Sequence, residues 1–414
     1  MKNTFLLLSI FSFLFNFQIY ASDIYVNSSG APGTYITLSG AIQAANDGDR
    51  IIVSTLINLI EDVTISKSVT ITSAASGSSF VLNGTMTIEA VANKEIRLIG
   101  AELDELSFTS GTATDATDCK VYLIDSQVST NINTTVTGLS LNLMYCTDTD
   151  LEVSFKYGSI IGSNIKRFFL QSGSGTAQND TTKIIGNKFT YYQCTIENQD
   201  HNFLIANNYF SSYSYQQLYL NYTKAPNSGT SNIFNNTFVL LPSAYTSYGN
   251  NLFFDNNRDY SNVNVFNNYF VHNGNSSSST YNKHIGGSSL STNKQPMVLY
   301  NVFVSNYGAN GGVYWNTNLS NTNHNQAVTF TGNTYNNSTG KVTAGKGINE
   351  GNNGIEFYDI DMTRNDVGTY GGPYSWDNFH NTATGKARVY NLDVPFELWM
   401  GQTPSLKADA VHQK

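Results

Sequence analysis

The chain has 414 residues, with 22 Lys and Arg against 30 Asp and Glu, a net charge of -8 and only 13% charged residues. A mildly acidic, charge-poor chain has no basic stripe with which to neutralise phosphates, so nucleic acid is set aside as a partner. Three cysteines, Cys119, Cys146 and Cys194, match neither a metal pattern nor a disulfide framework.

Residues 1–22 read as a secretory signal peptide: Lys2 supplies the positive start, Phe5 to Phe15 an apolar run, and Ala21 and Ser22 a small-residue exit. That run is too short to span a bilayer, and no later stretch approaches the roughly 18 continuous apolar residues a transmembrane helix needs. The expected location is extracellular, secreted or at the cell surface. Residues 23–50 form the expected N-terminal cap. A strand through Asp23-Ile24-Tyr25-Val26-Asn27 is followed by a turn at Gly30, Pro32 and Gly33. Leu38, Ala41, Ile42 and Ala45 then share one helix face, with Thr37 placed as N-cap.

Residues 51–375 carry short β-rich runs with alternating inward and outward side chains, such as Val63–Ile65, Phe80–Leu82, Ile96–Ile99 and Val121–Ile124. Later, Asn187, Asn208, Asn236, Asn268, Asn301 and Asn333 are each followed two residues on by an aromatic, at spacings of 21, 28, 32, 33 and 32. Such a period predicts a solenoid, one coil per repeat. The Asn is expected to take the positive φ of a tight turn and to hydrogen-bond its equivalents above and below, while the aromatic points inward and stacks. Ser126, Cys146 and Ser163 hold the same position in earlier coils, which makes Cys146 a buried thiol, with a Cys146–Cys194 disulfide as the alternative. Insertions at 211–231, 241–261 and 273–296 are expected on one side as a binding face. Residues 376–414, with Trp376, Phe379, Phe396 and Trp399, are read as a C-terminal cap or tail.

Three segments resemble the exported right-handed parallel β-helix proteins of the pectate-lyase-like superfamily: Tyr35 to Asp49 (YITLSGAIQAANDGD), coils of the type Ile205 to Phe210 (IANNYF), and Asp361 to Pro373 (DMTRNDVGTYGGP). The resemblance implies an all-β, single-stranded right-handed parallel β-helix with a short N-terminal capping helix. It leaves activity open, because the superfamily holds lyases, hydrolases, esterases, epimerases and non-enzymatic surface proteins. In the closing motif Asp361, Arg364 and Asp366 are expected to form a charge pair pinning the final turn.

The superfamily's catalytic patterns, a Gly-His-Gly, an adjacent aspartate pair or an Arg-Ile-Lys, are absent from the sequence. The charged residues that stacking would bring together are Glu197, Asp200 and His201, then Asp255, Arg258 and Asp259, then Lys283 and His284. Of these Arg258, Lys283, His284, Asp200 and His201 are the acid/base candidates. Tyr213, Tyr215, Tyr219, Tyr222, Tyr245, Tyr248, Tyr260 and Tyr281 lie in or beside the long loops, where rings stack on sugars and Asn amides bond hydroxyls; Tyr213, Tyr215, Tyr245, Tyr248 and Tyr260 are the substrate-binding candidates. No metal site or cofactor is predicted, with calcium left open. The expected protein is a monomer that binds polysaccharide or a cell-surface glycan. A polysaccharide lyase or glycoside hydrolase, and a structural surface adhesin, are the alternatives.

Overall fold

The computed structural model describes residues 21–54, 58–75, 77–110, 116–171, 181–190, 193–197, 202–213, 216–221, 229–241, 249–255, 258–273, 284–287, 290–305, 324–380, 387–393 and 407–412. Residues 1–20 of the expected signal peptide, and Phe396 and Trp399 of the tail, lie outside them. Among the described residues the chain is mostly β, with a few short helices, and the three large sheets are parallel throughout.

A first ladder of twelve strands runs from Asp23–Val26 to Met297–Leu299. At about 4.8 Å per strand, its eleven steps cover about 53 Å. In the later coils each first-ladder strand is followed by a strand of a second ladder (Lys188–Phe189, Tyr209–Ser212, Thr237–Leu240, Tyr269–His272, Val302–Ser305), and Gln326–Val328 extends that second ladder by one more strand. A third follows in four of those coils (Cys194–Glu197, Gln216–Asn221, Asn250–Phe254, Ile285–Gly286). Earlier, one long strand does the work of two: Asn164–Leu170 pairs with both Lys188–Phe189 and Cys194–Glu197. Alternation inside each strand sends one residue in two to the interior, where Ile51, Ile71, Leu98, Val121, Leu141, Ile160, Ile184, Ile205, Ile233 and Val265 are buried.

The α-helix Leu38–Ala44 packs on the first coils through Leu38, Ala41 and Ile42. Its Thr37 cap accepts from the Gly40 N–H at 3.1 Å. The Glu61 carboxylate takes the N–H groups of Leu38 and Ser39, and the Lys67 ammonium donates to the carbonyls of Ile42, Gln43 and Ala45. Each charge thus sits at the helix end whose dipole it complements.

The corner between first and second ladders carries an amide ladder. Asn187 donates through N–H and Nδ2 to Asn208 Oδ1, both at 2.9 Å, and the same pair of bonds repeats from Asn208 to Asn236, Asn236 to Asn268, and Asn268 to Asn301. Ser163 and Cys146 continue it downward, Ser163 N–H to Asn187 Oδ1 and Cys146 N–H to Ser163 Oγ. All three cysteines are free and buried, and burial pushes the Cys146 and Cys194 thiols up to about 12. Beside the ladder Phe189, Phe210, Phe238, Phe270 and Phe303 stack at centroid distances of 5.0, 4.6, 4.9 and 5.3 Å.

Two expectations about this corner need correction. The last rung is Asn325, which accepts from Asn301 N–H and Nδ2; Asn333 instead donates to the Thr329 and Thr331 carbonyls and accepts from Lys346 N–H. The chain has left the coil after Gln326–Val328, so the Asn333/Tyr335 pair only imitates the repeat. The positive φ, moreover, falls on the residue before each rung: Tyr145, Gly162, Gly186, Asn207, Asn235, Asn267, Tyr300 and His324. The rung side chain must point inward, and the left-handed residue makes the corner that aims it.

Residues 329–380 run back along the flank of the coils, not over the last turn as a lid. Phe357 meets Phe234 and Phe266 edge-on, at 6.3 and 5.1 Å between centroids. Phe379 packs on outward first-ladder residues that include Ile161 and Ile185, and Trp376 joins Tyr209 and Tyr269. Asp361, Arg364 and Asp366 use their side chains separately: Asp361 caps Thr363, Arg364 donates to the Gly351 and Glu350 carbonyls, and Asp366 accepts from Asn349 N–H. What pins this strap is the left-handed asparagines. Asn207 Nδ2 donates to Thr369 O and Gly371 O, Asn235 Nδ2 to Asn365 Oδ1 and Asp366 O, and Asn267 Oδ1 accepts from Asn352 N–H.

Candidate functional site

The strap occupies the outside of the first-ladder corner. The third ladder presents its outer side elsewhere, and its register decides which side chains meet there. Phe169 pairs with Thr195, Thr195 with Tyr219, Tyr219 with Phe253, and Phe253 with Gly286. Two residues further along the strands, Glu197 pairs with Asn221, and Asp255 follows on the next coil with its N–H bonded to the Leu220 carbonyl. Two parallel files result, one carrying rings and one carrying carboxylates and amides. Between them Leu218, Leu220, Leu252 and Phe254 point inward and are fully buried, which fixes the outward direction of their neighbours.

Tyr219 and Phe253 stack with centroids 5.9 Å apart and an interplanar angle of 20°. The Tyr219 hydroxyl donates to the Asp255 carboxylate, and the Arg258 Nε donates to Asn221 Oδ1 at 2.9 Å. Burial first, then the bonded Asp255 carboxylate, pushes the Tyr219 phenol up to about 12, so it stays protonated and serves as a donor at any ordinary pH. Two steps down the file from Tyr219, Arg167 lies over the Phe169 ring at 4.9 Å, and Glu152 holds Lys166 and Arg167 at 2.8 and 2.6 Å. Rings flanked by hydrogen-bonding groups across consecutive coils can hold sugar units by apolar contact while bonding their hydroxyls.

Of the residues expected to form the site, Arg258 stands in this wall, together with Glu197, Asp255 and Tyr219. His284 does not: it is fully buried, with Nδ1 bonded to Asn251 Oδ1 at 3.0 Å and its ring beside Phe270 and Phe303. It ends a second interior chain of amides, in which Asn251 Nδ2 donates to Gln217 Oε1 at 2.8 Å. Tyr260 is likewise buried, its hydroxyl donating to the Leu220 carbonyl at 2.7 Å and its ring against Phe254, so it supports the wall from inside. Tyr213 is 62% exposed, just after Tyr209–Ser212 in the second ladder. Asp200, His201, Lys283, Tyr215, Tyr222, Tyr245, Tyr248 and Tyr281 lie outside the described residues. Sequence reasoning missed Phe169, Asn221 and Phe253. The alternation in Leu218-Tyr219-Leu220-Asn221 and Leu252-Phe253-Phe254-Asp255 carried the signal, one such motif per coil.

Among the described residues, no three His, Cys, Asp or Glu side chains converge as a metal site, and no helix is long and apolar enough to cross a membrane. No family model, curated protein or solved structure matches the chain.

Proposed function

We propose that this is an exported right-handed parallel β-helix, its short helix capping the first coil, that binds polysaccharide as a monomer through the outer side of the third ladder. The observation that carries this reading is the wall of Tyr219, Phe253, Asn221, Asp255 and Arg258, in which rings and hydrogen-bonding groups from adjacent coils stand side by side. An exported chain with a charge-poor, amide-rich sequence is suited to extracellular glycans, and the resemblance in the opening and closing segments points the same way. A glycan array probed with the full chain tests the proposal. Binding should be lost in Tyr219→Ala, and an array with no bound glycan refutes it.

Cleavage of the bound chain at the same wall is the second reading. It is favoured by the phenol, carboxylate and guanidinium that Tyr219, Asp255 and Arg258 bring together, groups of the kind that move protons. New reducing or unsaturated ends in the bound polysaccharide, absent with Arg258→Ala, would establish it.

A further inference from the structure

We infer that the wall accepts an uncharged linear glycan lying along the axis of the coils from Phe169 to Phe253, and that it disfavours polyuronates. The inference rests on the polysaccharide reading of this face and adds the chemical class of the ligand. Its direction follows from the register. Phe169, Thr195, Tyr219 and Phe253 form one axial file, and Glu197, Asn221 and Asp255 the file beside it. Three strand steps of about 4.8 Å make a strip about 14 Å long. A chain laid along it keeps apolar contact with the ring file while its hydroxyls reach the second file. A chain laid across it would meet one coil's ring alone.

The charge preference follows from what surrounds the rings. Three charged groups act on Tyr219: the Asp255 and Glu197 carboxylates and the Arg258 guanidinium. At the other end Glu152 is shared by Lys166 and Arg167, and Arg167 is turned onto the Phe169 ring. Across these six groups the cations and anions are equal in number, with two carboxylates at the central rings. The carboxylates of a polyuronate that reach the central rings would meet Glu197 and Asp255 against the one guanidinium of Arg258, in a half-buried setting where like charges repel more than in water. The hydroxyls of an uncharged sugar find acceptors in Glu197 and Asp255 and a donor in Arg258.

Affinity electrophoresis of the full chain at low salt, in gels containing soluble linear glucan, mannan or xylan and, separately, polygalacturonate or alginate, tests this. The expected result is retardation by at least one uncharged glycan, with polyuronate binding at least tenfold weaker. Phe253→Ala and Phe169→Ala should each weaken the uncharged glycan about tenfold while circular dichroism stays unchanged. Glu197→Gln should narrow the gap between the two glycan classes. Tighter binding of polyuronates overturns the inference and leaves the polysaccharide reading standing. Undiminished binding by Phe169→Ala overturns the axial placement, and no retardation by any glycan overturns both.

Discussion

Replacing Asn236 with Ala tests the amide ladder at its middle rung. Asn236 Oδ1 accepts both the backbone N–H and the Nδ2 of Asn208 at 2.9 Å, and its Nδ2 donates to Ile205 O, Phe234 O and Asn268 Oδ1. After truncation Asn208 Nδ2 keeps the Ile184 carbonyl, and Asn268 Oδ1 keeps the Asn236 N–H. The Asn208 N–H keeps no acceptor, and a fully buried orphan donor costs about 1–3 kcal/mol. Adding the small cavity left by the amide, the expected loss is about 2–4 kcal/mol. Because stacked coils open locally, the readout is native-state hydrogen exchange at Asn208 and Asn236 together with urea unfolding. A control comes from the coils of Asn236 and Asn268: Asn264 Nδ2 donates to Asn232 Oδ1 at 3.1 Å on the outer side, where water can replace the bond, and Asn232→Ala should cost under about 1 kcal/mol. Asn236→Asp should be worse than Ala, since it sets a carboxylate oxygen against the carbonyls of Ile205 and Phe234. Equal costs for Asn236→Ala and Asn232→Ala would refute the claim that the interior amides hold the corner.

Asn235→Gly keeps the left-handed corner but removes the bonds to Asn365 Oδ1, Asp366 O and Gly368 O; it should free the strap to limited proteolysis while the coils remain folded, and Asn235→Ala should cost about 1 kcal/mol more from backbone strain. The Asp359 carboxyl, which accepts from the N–H groups of Gly372 and Asp366, is pushed from 3.8 up to about 6 by burial, with Asp366 and Asp361 adding repulsion. A raised folded-state value means that stability is fully present below about 4 and is lost as pH rises through about 6. Strap protection in hydrogen exchange should therefore fall between pH 4 and 6, and Asp359→Asn should flatten that dependence. Gly158→Ala places a Cβ 1.8 Å from the Leu141 carbonyl oxygen at a φ of +134°, so the variant should lose about 3 kcal/mol or more, measured by its urea midpoint.

How much the sequence disclosed depended on where each residue's partner lies. Interior positions repeat because every coil faces the same neighbours above and below, so the amides, the stacked phenylalanines and the serines and cysteine that stand in for Asn all left a visible period. Asn325 escaped that reading because the residue two positions on, Ala327, is not aromatic, while Asn333 and Tyr335 fit the pattern without belonging to a coil. The wall was only partly legible. Its charges were named from spacing, but the rings between them are ordinary members of alternating strands, and only the register shows that Tyr219 and Phe253 stand together. The strap left no period at all, because its partners lie far away in the chain, 85 residues for Asn352 and Asn267 and 130 for Asn365 and Asn235.

The Asn-Asn dipeptides link these two kinds of information. In Asn207-Asn208, Asn235-Asn236 and Asn267-Asn268 the second amide points inward to the ladder, and the first, at a φ of 55, 52 and 56°, points outward to the strap. In neighbouring coils Gly162 and Gly186 fill the first position where Phe379 of the strap packs so close that a Cβ on Gly186 would meet its ring at 2.3 Å, and Tyr300 and His324 fill it further along. The Asn that costs the corner more than Gly would is thus spent where a second chain segment must be held. The paired asparagines thus mark the corners that hydrogen-bond the strap, and the glycan proposed above is expected on another side of the solenoid, the outer side of the third ladder, where Tyr219, Asn221, Phe253 and Asp255 stand.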